Sequence, residues 1–290
     1  MMQFRYIRHI DISKLFGTQS MQHASAFPLR TRPVWPLTVV GAAGLTPRTR
    51  RVSLIGEGLE TFSYRPGQDL VLGLPTPGGL ARRHYTIRRL DRQELRLDID
   101  FVMHGASPAT QWAESVKVGD AVLAEGPRGR TVVHQRADWH LFTGDETALP
   151  AIAAMIETLP AGARAFAIVE VAGPEEEIII DTAARLDVTW LHRNGPPLAA
   201  SAGLIGALAD FTPPVGHGHA CVIGETATVR AQRQGLIARG FPKERIAAEG
   251  YWRPGRVGGH DHVFDGEGPG AMMDLRRLAR HAVRGRARMG

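Results

Sequence analysis

A change of rhythm near residue 138 limits most strongly what this chain can fold into. From about Trp35 to His134 it reads as short strands separated by turn residues: Leu37–Ala42, Thr49–Ile55, Asp69–Leu74, Tyr85–Leu90, Glu94–Met103, Ala121–Glu125 and Thr131–Val133. Leu95, Leu97, Ile99 and Phe101 alternate with Arg96, Asp98 and Asp100, the period of two expected of a half-buried strand. Only Pro108–Ser115 reads as a helix there. Many short strands with Gly and Pro turns predict a small antiparallel Greek-key β-barrel.

After Asp138, strands alternate with helices. Trp139–Thr143, Ala165–Val171, Val188–Leu191, Ala220–Gly224 and Ile246–Ala248 are the strand candidates. The helical stretches are Thr147–Thr158, Ala199–Asp210 and Thr226–Arg239. That order predicts a parallel α/β sheet covered on both faces, with ligands at the carboxyl ends of its strands. The expected division is a barrel over 33–137, an α/β unit over 138–256, a Gly-rich linker with a basic C-terminal helix over 257–290, and a tail of unassigned role over 1–32.

Composition removes several function classes. With 43% hydrophobic and 22% charged residues the chain can bury a core, which excludes general disorder. No apolar run approaches the roughly 18–20 residues of a membrane span, and Met1–Arg32 shows no secretory pattern. A single cysteine, Cys221, excludes an internal disulfide framework and a cysteine-ligated metal, and fits a reducing, cytoplasmic address. Of the net charge of +6, residues 272–290 supply +5, from six arginines against Asp274. Leu275, Leu278, Ala279, Ala282 and Val283 give that tail the spacing of an amphipathic helix with a solvated arginine face. The rest of the chain is nearly neutral and the tail lacks interleaved aromatics, so a nucleic-acid partner is the last-ranked reading.

The most informative stretch is Arg83-His84-Tyr85-Thr86-Ile87-Arg88. On a strand, Arg83 and Tyr85 share one face and Thr86 and Arg88 the other. A flavin dinucleotide needs cations for its pyrophosphate, a flat aromatic against its ring and a hydroxyl near its redox nitrogens, and these residues supply all three. They equally suit an edge strand with solvated arginines and a core tyrosine. A barrel followed by a parallel sheet suits a flavin held beside a nicotinamide, by analogy of architecture alone.

Arg83–Arg88 resembles the R-x-Y-T-x-R flavin motif of the ferredoxin-reductase-like superfamily. Leu45-Thr46-Pro47-Arg48, Asp100-Phe101-Val102-Met103-His104-Gly105, Gly144-Asp145-Glu146-Thr147-Ala148-Leu149-Pro150-Ala151-Ile152 and Gly250-Tyr251-Trp252-Arg253 narrow the resemblance to the siderophore-interacting proteins, flavin-dependent ferric-siderophore reductases. The order and spacing of these pieces fit from about Pro33 to Arg256. The resemblance implies FAD held by Arg83, His84, Tyr85, Thr86 and Arg88, with Asp100, Phe101, Val102 and His104 lining it. The segment through Ser107, Pro108, Ala109 and Thr110 would receive its pyrophosphate. Ser107 is a plausible N-cap and Pro108 a first helical residue, so free N–H groups would face an anion. The sequence departs from the family here: Ser107 stands where a glycine is usual, and the turn is one residue short.

Asp145, Thr147 and Ala148 sit where a nicotinamide cofactor meets the first turn of the second unit, with Thr147 the expected N-cap, although Asp145 and Glu146 disfavour a pyrophosphate. Tyr251 and Trp252 are expected to cover the flavin or frame its opening. Arg193, at a strand end, can pair with a 2′-phosphate, which favours NADPH over NADH. An anionic ferric siderophore would meet Arg48, Arg128, Arg130, Arg253 and Arg256. His217-Gly218-His219 and His260-Asp261-His262 are loop histidines by default, with no protein metal site expected. The implied reaction passes a hydride from NAD(P)H to FAD and single electrons to chelated Fe(III), releasing Fe(II), with no side chain as acid, base or nucleophile. The alternatives are a reductase of the same fold serving a ferredoxin-like protein or an oxygenase, and a siderophore-binding protein with little turnover.

Overall fold

The alternation of the first half becomes an antiparallel sheet. The computed structural model describes residues 32–76, 79–105, 107–134, 136–195 and 200–255, and the backbone of 261–262. Strands β1 (Val34–Thr46) and β2 (Thr49–Ile55) form a hairpin; β3 (Asp69–Thr76), β4 (Gly79–Thr86), β5 (Arg89–Asp91), β6 (Arg96–Val102) and β7 (Ala121–Arg128) complete the order β4-β3-β7-β1-β2-β6-β5. Insertion of β7 between β3 and β1 is a Greek-key crossover. The sheet curls until β4 returns to β6: the Tyr85 ring lies 4.2 Å from that of Phe101. Leu37, Val39, Val52, Leu54, Leu70, Leu72, Leu97 and Ile99 fill the interior. Helix α1 (Pro108–Ser115) closes one end, burying Ala109, Trp112 and Ala113. The Trp112 ring packs at a tilt against Phe101, with centroids 5.5 Å apart, so truncating fully buried Phe101 to Ala would cost about 3–5 kcal/mol.

The second half forms a six-stranded sheet of β8 (Trp139–Asp145), β9 (Arg164–Val171), β10 (Arg185–His192), β11 (Gly218–Glu225), β12 (Ile246–Trp252) and β13 (Asp261–His262), in the order β10-β9-β8-β11-β12-β13. The first five run parallel, and β13 pairs antiparallel with β12. Every residue of β8 and β11 is buried, as expected of central strands covered on both faces. Phe142, Cys221 and Ile223 pack toward helix α2 (Leu149–Ile156), whereas Leu141, Ala220 and Val222 pack toward α3 (Ala202–Asp210) and α4 (Thr226–Ala238). The strand order reverses between β8 and β11, so their carboxyl ends flank the crevice where such sheets bind ligands.

Some expectations need correction. Tyr85–Leu90 is not one strand, because the backbone changes partner there: Ile87 N–H donates to Gln68 O at 2.9 Å and Arg88 N–H to Asp98 O at 3.0 Å. Thr131–Val133 is not a strand; the Thr131 hydroxyl instead donates to Glu249 at 2.8 Å, tying the connection between the sheets to β12. The proposed Arg-rich helix lies outside the described residues. No helix among the described residues is long and apolar enough to cross a membrane.

Candidate functional site

Strand β4 presents two faces, and the site begins with their difference. On one, Tyr85 rests against Phe101; burial pushes its hydroxyl pKa up, against the lowering by the Arg83 charge, so it remains a neutral phenol. Arg83 on the same face donates to Arg82 O at 2.9 Å and has no carboxylate partner among the described residues. On the other face the side chains pair with neighbouring elements: Arg82 with Glu125 at 2.6 Å, His84 with Asp69 at 3.0 Å, and buried Thr86 with the Tyr251 hydroxyl from β12. Burial, then the charge of Glu249, push the Tyr251 hydroxyl pKa up, while its hydrogen bond with Thr86 opposes them. Thr86 therefore sits where the two sheets meet.

Four residues expected to hold or line the cofactor have their side chains committed elsewhere. Arg88 is buried and pairs with Glu157 at the end of α2, its Nη1 at 2.6 Å, while its Nε stands 3.4 Å from Asp100. Asp100 receives two hydrogen bonds from Arg51, at 2.7 and 2.8 Å; these bonds, with the charge of Asp100, raise the Arg51 pKa against the lowering by its burial. The Phe101 ring is fully buried in the first core, so only its backbone can face a ligand; Val102 is buried as well. This arginine and this carboxylate form a chain, Arg51–Asp100–Arg88–Glu157, that fastens the first sheet to α2.

The turn after β6 leaves room beside its backbone. His104 is exposed, and Gly105 adopts φ +61° with no atom within 4 Å of where a Cβ would stand. Ser107 caps α1 as its sequence position predicts: its side chain accepts from Thr110 N–H, while Thr110 Oγ1 accepts from Ser107 N–H at 2.9 Å. Pro108 opens the helix, and its first turn carries no acid. Ala109 and Thr110 are buried beneath. An arginine without a carboxylate partner, an open left-handed glycine and an acid-free helix start fit the phosphates and flat ring of a flavin dinucleotide.

At the carboxyl ends of β8, β9 and β11 a cleft is lined by His104 and Trp252 together with Asp145, Glu146, Thr147, Glu170, Arg193, Ser201 and Glu225. Asp145 is an organising carboxylate. It accepts Glu225 N–H at 2.7 Å, the Trp252 indole N–H at 2.9 Å and Thr147 N–H at 2.9 Å. Gly224, at φ +129°, makes this possible, because a Cβ there would stand 2.6 Å from Asp145 Oδ2. Thr147 is thus held by Asp145, and the N-cap of α2 is Ala148, without a side-chain cap. Arg193 does not extend a free fork: it bonds Glu146 at 2.7 Å and approaches Glu170 at 3.4 Å. Glu225 caps α4 through Ala227 and Thr228 N–H.

Of the arginines expected at a substrate opening, Arg48, Arg128 and Arg130 belong to the first unit and Arg253 follows β12 of the second. Exposed Arg48 accepts Met103 N–H at its carbonyl, which places it beside the His104 turn. Arg128 stands 3.5 Å from Asp69, while Arg130 and Arg253 are exposed. Arg256 lies outside the described residues, as do the side chains of the 260–262 histidine pair. His217 is exposed on its loop, but His219 belongs to β11, where it stacks on His134 with centroids 5.4 Å apart. Burial, with smaller contributions from His134 and His140, pulls its pKa down to about 4. Burial pushes the Cys221 thiol up to about 12, leaving an inert core residue. Sequence reading missed Glu157, Glu170, Ser201 and Glu225; an acid near the end of an apolar strand (Glu170) and a Glu-Thr-Ala-Thr helix start (Glu225) were the available signals.

Residues 137–255 match the family model described as siderophore-interacting protein, and residues 74–131 that of the siderophore-interacting FAD-binding domain. An uncharacterized protein of Mycobacterium tuberculosis, Rv2895c, is 33% identical over 261 residues, covering 78% of this chain and 92% of its own. Ferric vibriobactin reductase ViuB of Vibrio cholerae is 35% identical over 182 residues, 60% of this chain and 65% of ViuB. The crystal structure of a siderophore utilization protein from T. fusca superposes with a TM-score of 0.74 at 33% identity, covering 80% of this chain and 97% of that one.

Proposed function

The chain belongs to the siderophore-interacting protein family, and from that membership we propose that it is an NAD(P)H-dependent, FAD-containing ferric-siderophore reductase. In this reading residues 33–137 hold the flavin and residues 138–256 the nicotinamide donor. FAD, when bound, supplies the conversion between a two-electron hydride donor and a one-electron Fe(III) acceptor. The chain's own residues supply position. Arg83 and the α1 N-terminus take phosphate charge, Tyr85 offers a flat neutral face, and Thr86, held by Tyr251, lines the seam. Trp252, anchored to Asp145, and His104 border the cleft by which a donor reaches that seam. Arg48, Arg130 and Arg253, all exposed, with Arg128 offer positive charge suited to an anionic ferric chelate.

One observation carries the reading: Tyr85 of β4 packs against Phe101 of β6, the strand that runs on into His104, and His104 lines the cleft at the parallel strands' carboxyl ends. The test begins with an absorbance spectrum of purified protein, followed by anaerobic addition of NADPH or NADH. A ferric siderophore is then added with a ferrous trap. A flavin spectrum, bleaching by the nucleotide and trapped Fe(II) are expected. A colourless protein with no affinity for FAD would overturn the proposal, whereas flavin bleaching without Fe(II) would redirect it to a protein acceptor.

A further inference from the structure

The cleft treats its carboxylates in two ways. Asp145 and Glu225 are occupied by backbone and indole N–H groups and are internally satisfied. Glu146 and Glu170 instead hold a cation between them. Arg193, its side chain only 7% exposed, bonds Glu146 through Nη2 at 2.7 Å, reaches toward Glu170 through Nη1 at 3.4 Å and donates from Nε to Gly195 O at 3.0 Å. Two acids against one guanidinium leave a local charge of −1.

The two acids are not equally replaceable. Glu170 lies within β9 and also accepts a hydrogen bond from Ser201, the N-cap of α3. Glu146 lies in the turn between β8 and α2, and its carboxylate has Arg193 as its one hydrogen-bond partner among the described residues. A guanidinium fork accepts a carboxylate or a phosphate in the same planar manner. An acid near the end of the second strand is also where sheets of this order read an adenosine ribose.

We propose that Glu146 occupies on Arg193 the place of a ribose 2′-phosphate. A 2′-phosphorylated dinucleotide must displace Glu146, whereas the unphosphorylated one leaves the pair intact. Glu146 is thereby a specificity-determining residue that weakens NADP(H) binding selectively, by like-charge repulsion as well as by competition. This inference rests on the reading that a nicotinamide donor enters this cleft.

The test is calorimetric titration of the flavin-loaded full chain with NADP+ and NAD+, in wild type, Glu146→Gln and Arg193→Gln. Glu146→Gln is expected to lower the Kd for NADP+ about tenfold, with NAD+ changing less than about twofold, since removing one nearby like charge acts on the phosphate alone. Adenosine 2′,5′-bisphosphate should follow NADP+. Arg193→Gln should weaken NADP+ about tenfold and change NAD+ less than about twofold, an arm that holds even if Glu146→Gln does not fold. Equal changes for both dinucleotides, or no change, would make Glu146 only a tie between its turn and β10 and overturn the inference. If the flavin-loaded wild type binds neither dinucleotide, the donor reading fails and the inference with it.

Discussion

Arg83 and Arg193, one from each half of the chain, differ in the company they keep. On β4, Arg83 meets no carboxylate among the described residues and stands on the face that Tyr85 shares. At the end of β10, Arg193 is clamped between two acids. An arginine without a counter-ion keeps its full field for a permanent anionic guest. A clamped one yields only to a ligand that replaces its partner. The contrast suits a resident dinucleotide on the barrel and a transient donor on the parallel sheet. It also separates Arg83 from Arg88, five residues later, whose charge is neutralised by Glu157 and Asp100 and therefore joins the two sheets.

The largest effect that would sharpen this contrast is on Arg88. Arg88→Met leaves Glu157 without its cation, while Asp100 keeps Arg51, and should destabilise the fold by about 3 kcal/mol. Chemical denaturation would measure it. Loss of flavin from a variant of unaltered stability would instead return Arg88 to the cofactor site.

Next is the pH response of His219. Its folded pKa is lowered to about 4, so the unfolded chain binds more protons between that value and the model-peptide 6.5. Stability should therefore fall as pH drops through this window, by about 3 kcal/mol, and remain level above it. His219→Phe should flatten the profile, as read from denaturant midpoints at pH 7 and pH 4.5; an unchanged slope would assign the effect elsewhere.

Arg83→Ala should weaken FAD by about 2 kcal/mol, roughly thirtyfold, through loss of charge-assisted bonds to phosphate. Dialysed protein should turn colourless, and a variant that stays yellow would dismiss Arg83 as the unpartnered phosphate ligand. The smallest effect belongs to Arg253. Arg253→Glu should raise KM for an anionic ferric chelate by about fivefold, close to 1 kcal/mol, and leave flavin reduction by NADPH unaltered. An equal KM for anionic and neutral chelates in both proteins would remove Arg253 from the substrate path.

Local signals were legible where the physics is local. Thr49–Ile55 and Pro108–Ser115 take the bounds their patterns predict, because alternation and a Ser-Pro start are set by adjacent residues. The Tyr85–Leu90 stretch misleads for the opposite reason: it reads as one β-run, yet Ile87 bonds to Gln68, just before β3, and Arg88 to Asp98 of β6. Asp145 reads as a cofactor contact or an electrostatic obstacle, but its carboxylate is taken by N–H groups of residues 80 and 107 positions away. The Thr147 cap fails because that same carboxylate claims its hydroxyl.

The order of chain rhythms by itself determined an antiparallel barrel followed by a parallel sheet, and the motif residues determined the family, since periodicity and short motifs are properties of neighbours. Tertiary structure alone decided which charges remain available. Arg83, Arg88 and Arg193 are the same side chain in sequence. They become a cation without a carboxylate partner among the described residues, a fastener and a clamped fork only because distant carboxylates are brought within 3 Å or kept away. Ion pairing depends on the final distance between groups, and no local pattern encodes it.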